Sequence, residues 1–387
     1  MSHNKLNISL VSALLHPKYG GPSEVLRLHA LGLNRVSNVT VYGISNSEEH
    51  QLLNEKYQNL RLFELGFPHR WFYGKGLQDA LISASKNVDV IHAHMLWDYP
   101  VYASWKSAMT HKVPLIITPH GSLNNAWRYR GALKTAYRKL LLDRVLDETA
   151  CIQVLNREEE IACRNYGIKC PIQIIPNGLP IEVFDSTKSH SLAIEKWPQL
   201  SGRRIMLYLG RLWHGKGLDI LPEAWFKVRH IAEKHDWLLV IAGPDYGGYK
   251  QVLERKIMDH DLNGSILLTG PVYGDIKDSL MAASTAYVLP SHGEGFSMAL
   301  LEAVAAKRPA VFTNKCNFTE LENCGGGWEV KDTVDGLVEI FRSLLEENDE
   351  VFLKAGLAGW KYCREMYSLE AVSNQLIKMY RKAIELY

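Results

Sequence analysis

Residues 290–302 read Pro-Ser-His-Gly-Glu-Gly-Phe-Ser-Met-Ala-Leu-Leu-Glu. They follow an apolar run, Ala286 to Leu289, and open a helical pattern, Ser297 to Ala306. Glu294 therefore falls in a strand-to-helix loop, and Glu302 about two turns into the helix. The amides of Gly295, Phe296, Ser297 and Met298 lie at the helix N-terminus, where unpaired N–H donors and the helix dipole suit a phosphate. Carboxylates for hydroxyl groups thus stand at two places with an anion cradle between them. Sugar hydroxyls, a diphosphate and a ribose present that combination together.

A second candidate is Tyr208-Leu-Gly-Arg-Leu-Trp-His-Gly-Lys-Gly217, after another apolar run. Arg211 and Lys216 protrude from a glycine-containing loop, and two cations there suit a diphosphate leaving group. The alternative is two solvated charges in a turn. Lys216 is followed by Gly217 rather than Ser or Thr, so the loop is not a P-loop. Gly20 and Gly21, in His16-Pro-Lys-Tyr-Gly-Gly-Pro-Ser23, let backbone approach a phosphate or sugar, or simply make a βα turn. Thr118-Pro-His-Gly-Ser122 sets His120 at a strand end, where it serves a sugar hydroxyl or is satisfied by backbone.

Other constellations read as structural. His92 and His94 share one face of a strand, but no third ligand is evident in the sequence, so zinc is not expected. Asp259-His-Asp261 has the form of a metal–diphosphate motif yet ends a helix before Asn263-Gly264, and reads as a solvated terminus. Arg128, Arg130, Lys134, Arg138, Lys139 and Arg144 alternate with apolar residues in a basic amphipathic helix. A packed helix with a solvated basic face explains these residues; peripheral contact with an anionic membrane surface is the alternative.

The elements that position these loops alternate strand and helix. Parallel strands buried on both faces are expected at Leu6–Leu15, Val39–Ile44, Val88–Ala93, Leu115–Thr118, Cys151–Leu155 and Ile172–Ile175, then at Ile205–Leu209, Trp237–Ile241, Ser265–Thr269, Ala286–Leu289, Ala310–Thr313 and Gly327–Val330. Helical spacing runs over Ser23–Val36 and Leu133–Val145. The chain has 387 residues, enough for two α/β domains. The first is expected over 1–180 and the second over 181–367, with the polar stretch Leu179–Gly202 as linker. The helix 368–387 is expected to cross back onto the first. Two doubly wound domains facing each other would place their ligand loops in a shared cleft.

A net charge of +2 carries no nucleic-acid footprint. The six cysteines form no CxxC pair and read as reduced thiols of a cytoplasmic protein. No signal peptide or membrane span is expected.

Taken together the motifs resemble the retaining glycosyltransferases of family 4. The likeness runs in order through Gly20 to Ser23, Pro119-His-Gly121, Pro176-Asn-Gly178, the Gly-Arg…Lys-Gly loop of 210–217 and the Glu-x7-Glu element of 294–302. It implies a GT-B fold. It also implies that Arg211 and Lys216 bind the donor diphosphate, Glu294 the sugar hydroxyls and Glu302 the ribose. By the same resemblance His120 sits by the sugar, Gly20 and Gly21 approach the phosphate, and backbone near Val272 and Tyr273 holds the base. Trp213-His214 inside the cation loop is a departure from the family pattern.

The expected activity is retaining transfer of a hexose from a nucleoside diphosphate sugar, UDP-glucose for preference, to a glycan or lipid-linked acceptor. No metal or cofactor is expected. The acceptor side is assigned to loops near Gly20, His120 and Asn124 to Arg130. The alternatives are a nucleotide-sugar epimerase or a phosphorylase of the same architecture, or a non-catalytic glycan-binding subunit. A phosphorylase would need a lysine Schiff base, and a degenerate subunit has no need of Arg211, Lys216, Glu294 and Glu302 together. An oxidoreductase would need a dinucleotide fingerprint the chain lacks.

Overall fold

A computed structural model describes residues 5–13, 15–123 and 132–387. The chain divides into two compact units, Met1–Pro180 with Tyr367–Tyr387, and Ile181–Met366. In the first, eight strands form one sheet: β1 (Asn7–Ser12), β2 (Asn38–Ser45), β3 (Leu60–Gly66), β4 (Tyr73–Gly74), β5 (Val90–His94), β6 (Leu115–Thr118), β7 (Cys151–Val154) and β8 (Ile172–Ile174). Their spatial order is β4-β3-β2-β1-β5-β6-β7-β8. All pairings are parallel except β3 with β4. In the second unit, β9 (Arg204–Leu209), β10 (Trp237–Ala242), β11 (Ile266–Gly270), β12 (Ala286–Leu289), β13 (Ala310–Thr313) and β14 (Gly327–Val330) form a parallel sheet ordered β11-β10-β9-β12-β13-β14.

The central strands are apolar because helices cover both faces: β10 and β12 are buried along their whole length. The chain winds outward from β9 in one direction, then restarts at β12 on its other side, where Tyr287 pairs with Leu207. The carboxyl ends of β9 and β12 therefore flank the reversal of strand order, where open α/β sheets leave a crevice for ligands. In the first sheet the same reversal falls between β1 and β5.

The twelve anticipated strands are all present, four with the anticipated ends and the rest with an end shifted by at most three residues. Two more, β3 and β4, were not anticipated. The expected linker is a correction. Residues 179–202 carry two helices, Ile181–Asp185 and Ser191–Lys196, and a turn of 3-10 helix. Phe184, Ala193 and Leu200 are buried, and the Ala193 amide donates to Ser279 Oγ at 2.9 Å. A few well-spaced apolar residues thus anchor a mostly polar stretch. The helix expected over 133–145 runs from Ala132 to Asp147 and includes a π-helical turn, Arg138–Leu142.

The helix Leu369–Leu386 belongs to the first unit. Val372, Leu376, Met379 and Tyr380 join Ile8, Leu10, Val90 and Ile116 in one apolar core. The crossing is fixed at Gly178, whose backbone lies where a Cβ would be 3.1 Å from the Tyr367 carbonyl. The amide of Leu179 donates to Tyr367 O at 2.9 Å, and that of Leu369 to Leu179 O at 2.7 Å.

Candidate active site

In the second unit the cation loop and the Glu-x7-Glu element meet. The loop after β9 turns back through a short 3-10 helix, His214–Lys216, and Gly217 at φ +73°. A Cβ on Gly217 would lie 1.7 Å from the carbonyl oxygen of Pro290, so only glycine allows the two loops this approach. The loops are then stitched by hydrogen bonds. Ser291 Oγ donates to Gly215 O at 3.0 Å, and the His292 amide donates to the same oxygen at 3.1 Å. The Glu294 amide donates to Lys315 O at 2.9 Å, and Asn317 Nδ2 donates to Glu294 O at 3.0 Å.

This frame sets Lys216 Nζ 2.5 Å from Glu294 Oε1. Both side chains are mostly buried, so the pair is screened far less than one on the surface. One of the two cations assigned to the diphosphate is thus neutralised by the glutamate assigned to the sugar. Arg211 is exposed instead. Its guanidinium lies over the Tyr246 ring, 5.4 Å from the centroid, while Tyr208 Oη donates to Arg211 O at 2.8 Å. Burial, with Glu294 nearby, lifts the Tyr208 and Tyr287 phenols well above their ordinary range. The Tyr287 hydroxyl donates to Leu209 O at 2.9 Å, tying β12 to the end of β9.

Ser297 caps the helix Met298–Ala305, its Oγ accepting from the Leu300 amide at 3.2 Å. Gly295 and Phe296 precede it, with the Phe296 ring 5.4 Å from that of Phe318. Glu302 lies on this helix and accepts from Lys277 Nζ at 3.1 Å. Lys277 belongs to the helix Gly274–Ala283, which Tyr273 precedes; Val272 is buried there and Tyr273 exposed. Each glutamate of the motif therefore carries its own lysine.

The sequence reading missed Lys277, Tyr246 and a network around His292. That imidazole lies 2.8 Å from Asp219 Oδ1 through Nε2 and 2.6 Å from Asp332 Oδ1 through Nδ1. Burial lowers its pKa, but the two carboxylates outweigh burial and hold it above the ordinary histidine value. Asp219 three residues past Lys216, and His292 two before Glu294, were the available signals. Asp261 lies at the opposite end of β11 from the ligand loops, exposed and 3.9 Å from Arg229.

In the first unit, Gly20 at φ +77° and Gly21 open the helix Gly21–Asn34, with open space where either would carry a Cβ. His120, at φ +51°, is partly buried, and its Nε2 is 2.9 Å from His94 Nδ1. His92 bonds Thr118 Oγ1 at 2.7 Å and Tyr380 Oη at 2.8 Å. Burial pushes His92 and His94 well below the ordinary value, and His120 down to about 3. These imidazoles are therefore neutral hydrogen-bonding groups. The Pro-His-Gly turn is braced from beneath by buried Glu159, which accepts from the amides of Gly121 and Leu155, a carboxylate that sequence reasoning also missed.

The acceptor-side segment Asn124 to Arg130 and the side chain of Lys134 lie outside the described residues. Of the basic helix, Arg144 pairs with Glu148 at 3.0 Å and lies over the Trp105 ring, and Arg138 is 4.0 Å from Asp143. Among the described residues no helix is long and apolar enough to cross a membrane.

Two family models match this arrangement. "Glycosyltransferase Family 4" matches residues 19–183, and "Glycosyl transferases group 1" matches residues 191–354. The chain belongs to the family 4-like glycosyltransferases. A GDP-mannose:cellobiosyl-diphosphopolyprenol alpha-mannosyltransferase of Xanthomonas oryzae is 22% identical over 381 residues, 95% of each chain. A lipopolysaccharide core biosynthesis mannosyltransferase of Rhizobium leguminosarum is 27% identical over 52% of this glycosyltransferase and 54% of its own length. Among solved structures, Anabaena Alr3699/HepE in complex with UDP superposes with a TM-score of 0.80 at 15% identity, covering 97% of this chain and all of that one. The glycosyltransferase has the GT-B fold, with two Rossmann-like parallel-sheet domains.

Proposed function

We propose that this glycosyltransferase moves a hexosyl group from a nucleoside diphosphate sugar to a glycan or lipid-linked acceptor, with retention of anomeric configuration and without a catalytic metal. The observation that carries the reading is the Lys216–Glu294 pair, held by two interlocked loops at the crevice of the second sheet. In this reading the donor diphosphate takes Lys216, Arg211 and the helix N-terminus at Gly295–Met298. Glu294, released from part of its bond to Lys216, accepts from the sugar hydroxyls. Glu302 accepts from the ribose, with Lys277 beside it, and backbone near Val272 and Tyr273 meets the base. The leaving diphosphate meets fixed cations and amides as its charge develops, which is electrostatic stabilisation by groups already in place. Retention follows the family resemblance, by a front-face route in which the leaving phosphate helps to deprotonate the acceptor.

Two donors have specific support. UDP-glucose is the first expectation, and Alr3699/HepE, of the same fold, has been crystallised with it. GDP-mannose is the donor named for the Xanthomonas relative that spans nearly the whole chain. The acceptor is proposed to engage the loops at Gly20 and His120. The test presents both donors with a diphosphopolyprenol-linked sugar and with free oligosaccharides, and reads the product anomer by NMR. An α-linked product from an α-linked donor supports the proposal; an inverted product, or phosphorolysis in place of transfer, overturns it.

A further inference from the structure

We infer that the second unit binds a divalent transition-metal ion through His214, Asp219 and His292, with Asp332 orienting the last. One nitrogen from each imidazole and one carboxylate oxygen of Asp219 lie within 4.8 Å of one another. The rings of His214 and His292 are 5.4 Å apart between centroids. His292 also carries the outer bond typical of a metal-bound imidazole. Its Nδ1 is 2.6 Å from Asp332 Oδ1, so a proton held there leaves Nε2, the nitrogen facing Asp219, with its lone pair free for a metal.

The charges fit a divalent cation. Asp219 and Asp332 both face one imidazole, and even with that ring protonated on both nitrogens the three groups carry a net negative charge. Replacing the proton between His292 Nε2 and Asp219 by a doubly charged ion neutralises the cluster. Lys256 Nζ donates to the backbone oxygen of Asp219 at 2.8 Å, which fixes that residue through its main chain. Two imidazoles favour zinc, cobalt or nickel over magnesium or calcium, which prefer all-oxygen sites. Ligand atoms about 2.1 Å from zinc stand roughly 3.4 Å apart in a tetrahedron. The Asp219–His292 contact of 2.8 Å thus has to open by only about half an ångström.

The ion would cross-link the loop of Lys216 to the loop of Glu294, since His214 and Asp219 lie on the first and His292 on the second. It would brace these loops rather than take part in transfer. The inference stands on this cluster alone and holds whether or not the donor assignment does.

The full-length protein is stripped with chelator, dialysed, and titrated with Zn²⁺ by calorimetry and with Co²⁺ by visible absorption. The expected result is one site per chain, a tetrahedral cobalt spectrum, and no competition from Mg²⁺. His214→Ala, at an exposed position, abolishes the site without threatening the fold, and Asp332→Asn weakens it about 10–100-fold. The pair Asp259→Asn and Asp261→Asn leaves it unchanged. Absence of saturable binding by the wild type overturns the inference. So do zinc binding indifferent to His214→Ala, and binding that follows Asp259 and Asp261 instead.

Discussion

His29 is buried to 1% exposure in the helix Gly21–Asn34, and neither of its ring nitrogens has a hydrogen-bond partner among the described residues. Burial pushes its pKa down from 6.5 to about 4. The sign of the consequence follows from proton counting. Below pH 6.5 the unfolded imidazole takes up a proton that the folded one refuses until about pH 4. Stability from this residue is therefore complete above 6.5 and is lost as the pH falls toward 4. Between pH 7.5 and pH 5 a shift of this size removes about 2 kcal/mol from the first unit. His29→Leu keeps a comparable volume in a helix-compatible residue and deletes the titration. Urea unfolding at the two pH values, with hydrogen-exchange protection of β1 and β5 as the read-out specific to this unit, measures the difference. The wild type should lose about 2 kcal/mol more than the variant on acidification. Equal losses in both proteins would mean that the imidazole is hydrated or already protonated in the folded state, and would refute the reasoning.

Glu294→Gln should cut turnover with the sugar donor while affinity for the bare nucleoside diphosphate does not fall, because Lys216 is no longer neutralised; calorimetry and initial rates decide, and a tenfold loss of nucleotide affinity would contradict it. Glu302→Ala should weaken nucleotide and donor alike, measured in the same titrations. Gly217→Ala forces a Cβ onto Pro290 O at a positive φ, so it should cost at least about 1–3 kcal/mol in the second unit and abolish activity together with the interlock of the two loops. Transfer activity should survive excess chelator, even though the melting temperature of the second unit falls if zinc is displaced; complete loss of turnover, restored by manganese or magnesium, would return Asp259 and Asp261 to consideration.

Twelve strands were legible because parallel strands between helices are apolar on both faces and leave unbroken runs such as Ala286–Leu289. β3 escaped for the converse reason. Leu60-Arg-Leu-Phe-Glu-Leu65 lies toward the sheet edge, is only half buried, and mixes charges into its run. β4 is two residues long and has no pattern to read. The stretch 179–202 looked like a linker because its helices are short and anchored by single residues such as Phe184 and Ala193. For the site, Glu294, Glu302, Arg211 and Lys216 could be picked out by loop position and spacing. Their partners could not, since sequence spacing says nothing of which charge meets which across a sheet. Lys216 meets Glu294 because β9 and β12 are neighbours at the reversal of strand order, a fact of topology. Glu159 stayed hidden because a glutamate in a charged helix start, Arg157-Glu-Glu-Glu160, looks solvated, whereas this one turns inward to hold two amides.

The return of residues 369–386 to the first unit sets an order of events at the ribosome. The apolar face formed by Ile8, Leu10, Val90 and Ile116 is covered by Val372, Leu376 and Tyr380. Those covering residues emerge only after the whole of the second unit has been translated. The nascent first unit must therefore wait with an open greasy flank, while the second, contiguous in the chain, can close as soon as it is made. Maturation runs against the direction of synthesis. A chain stalled before residue 369 would carry a finished second unit joined to an unsealed first one, the species a chaperone would be expected to hold.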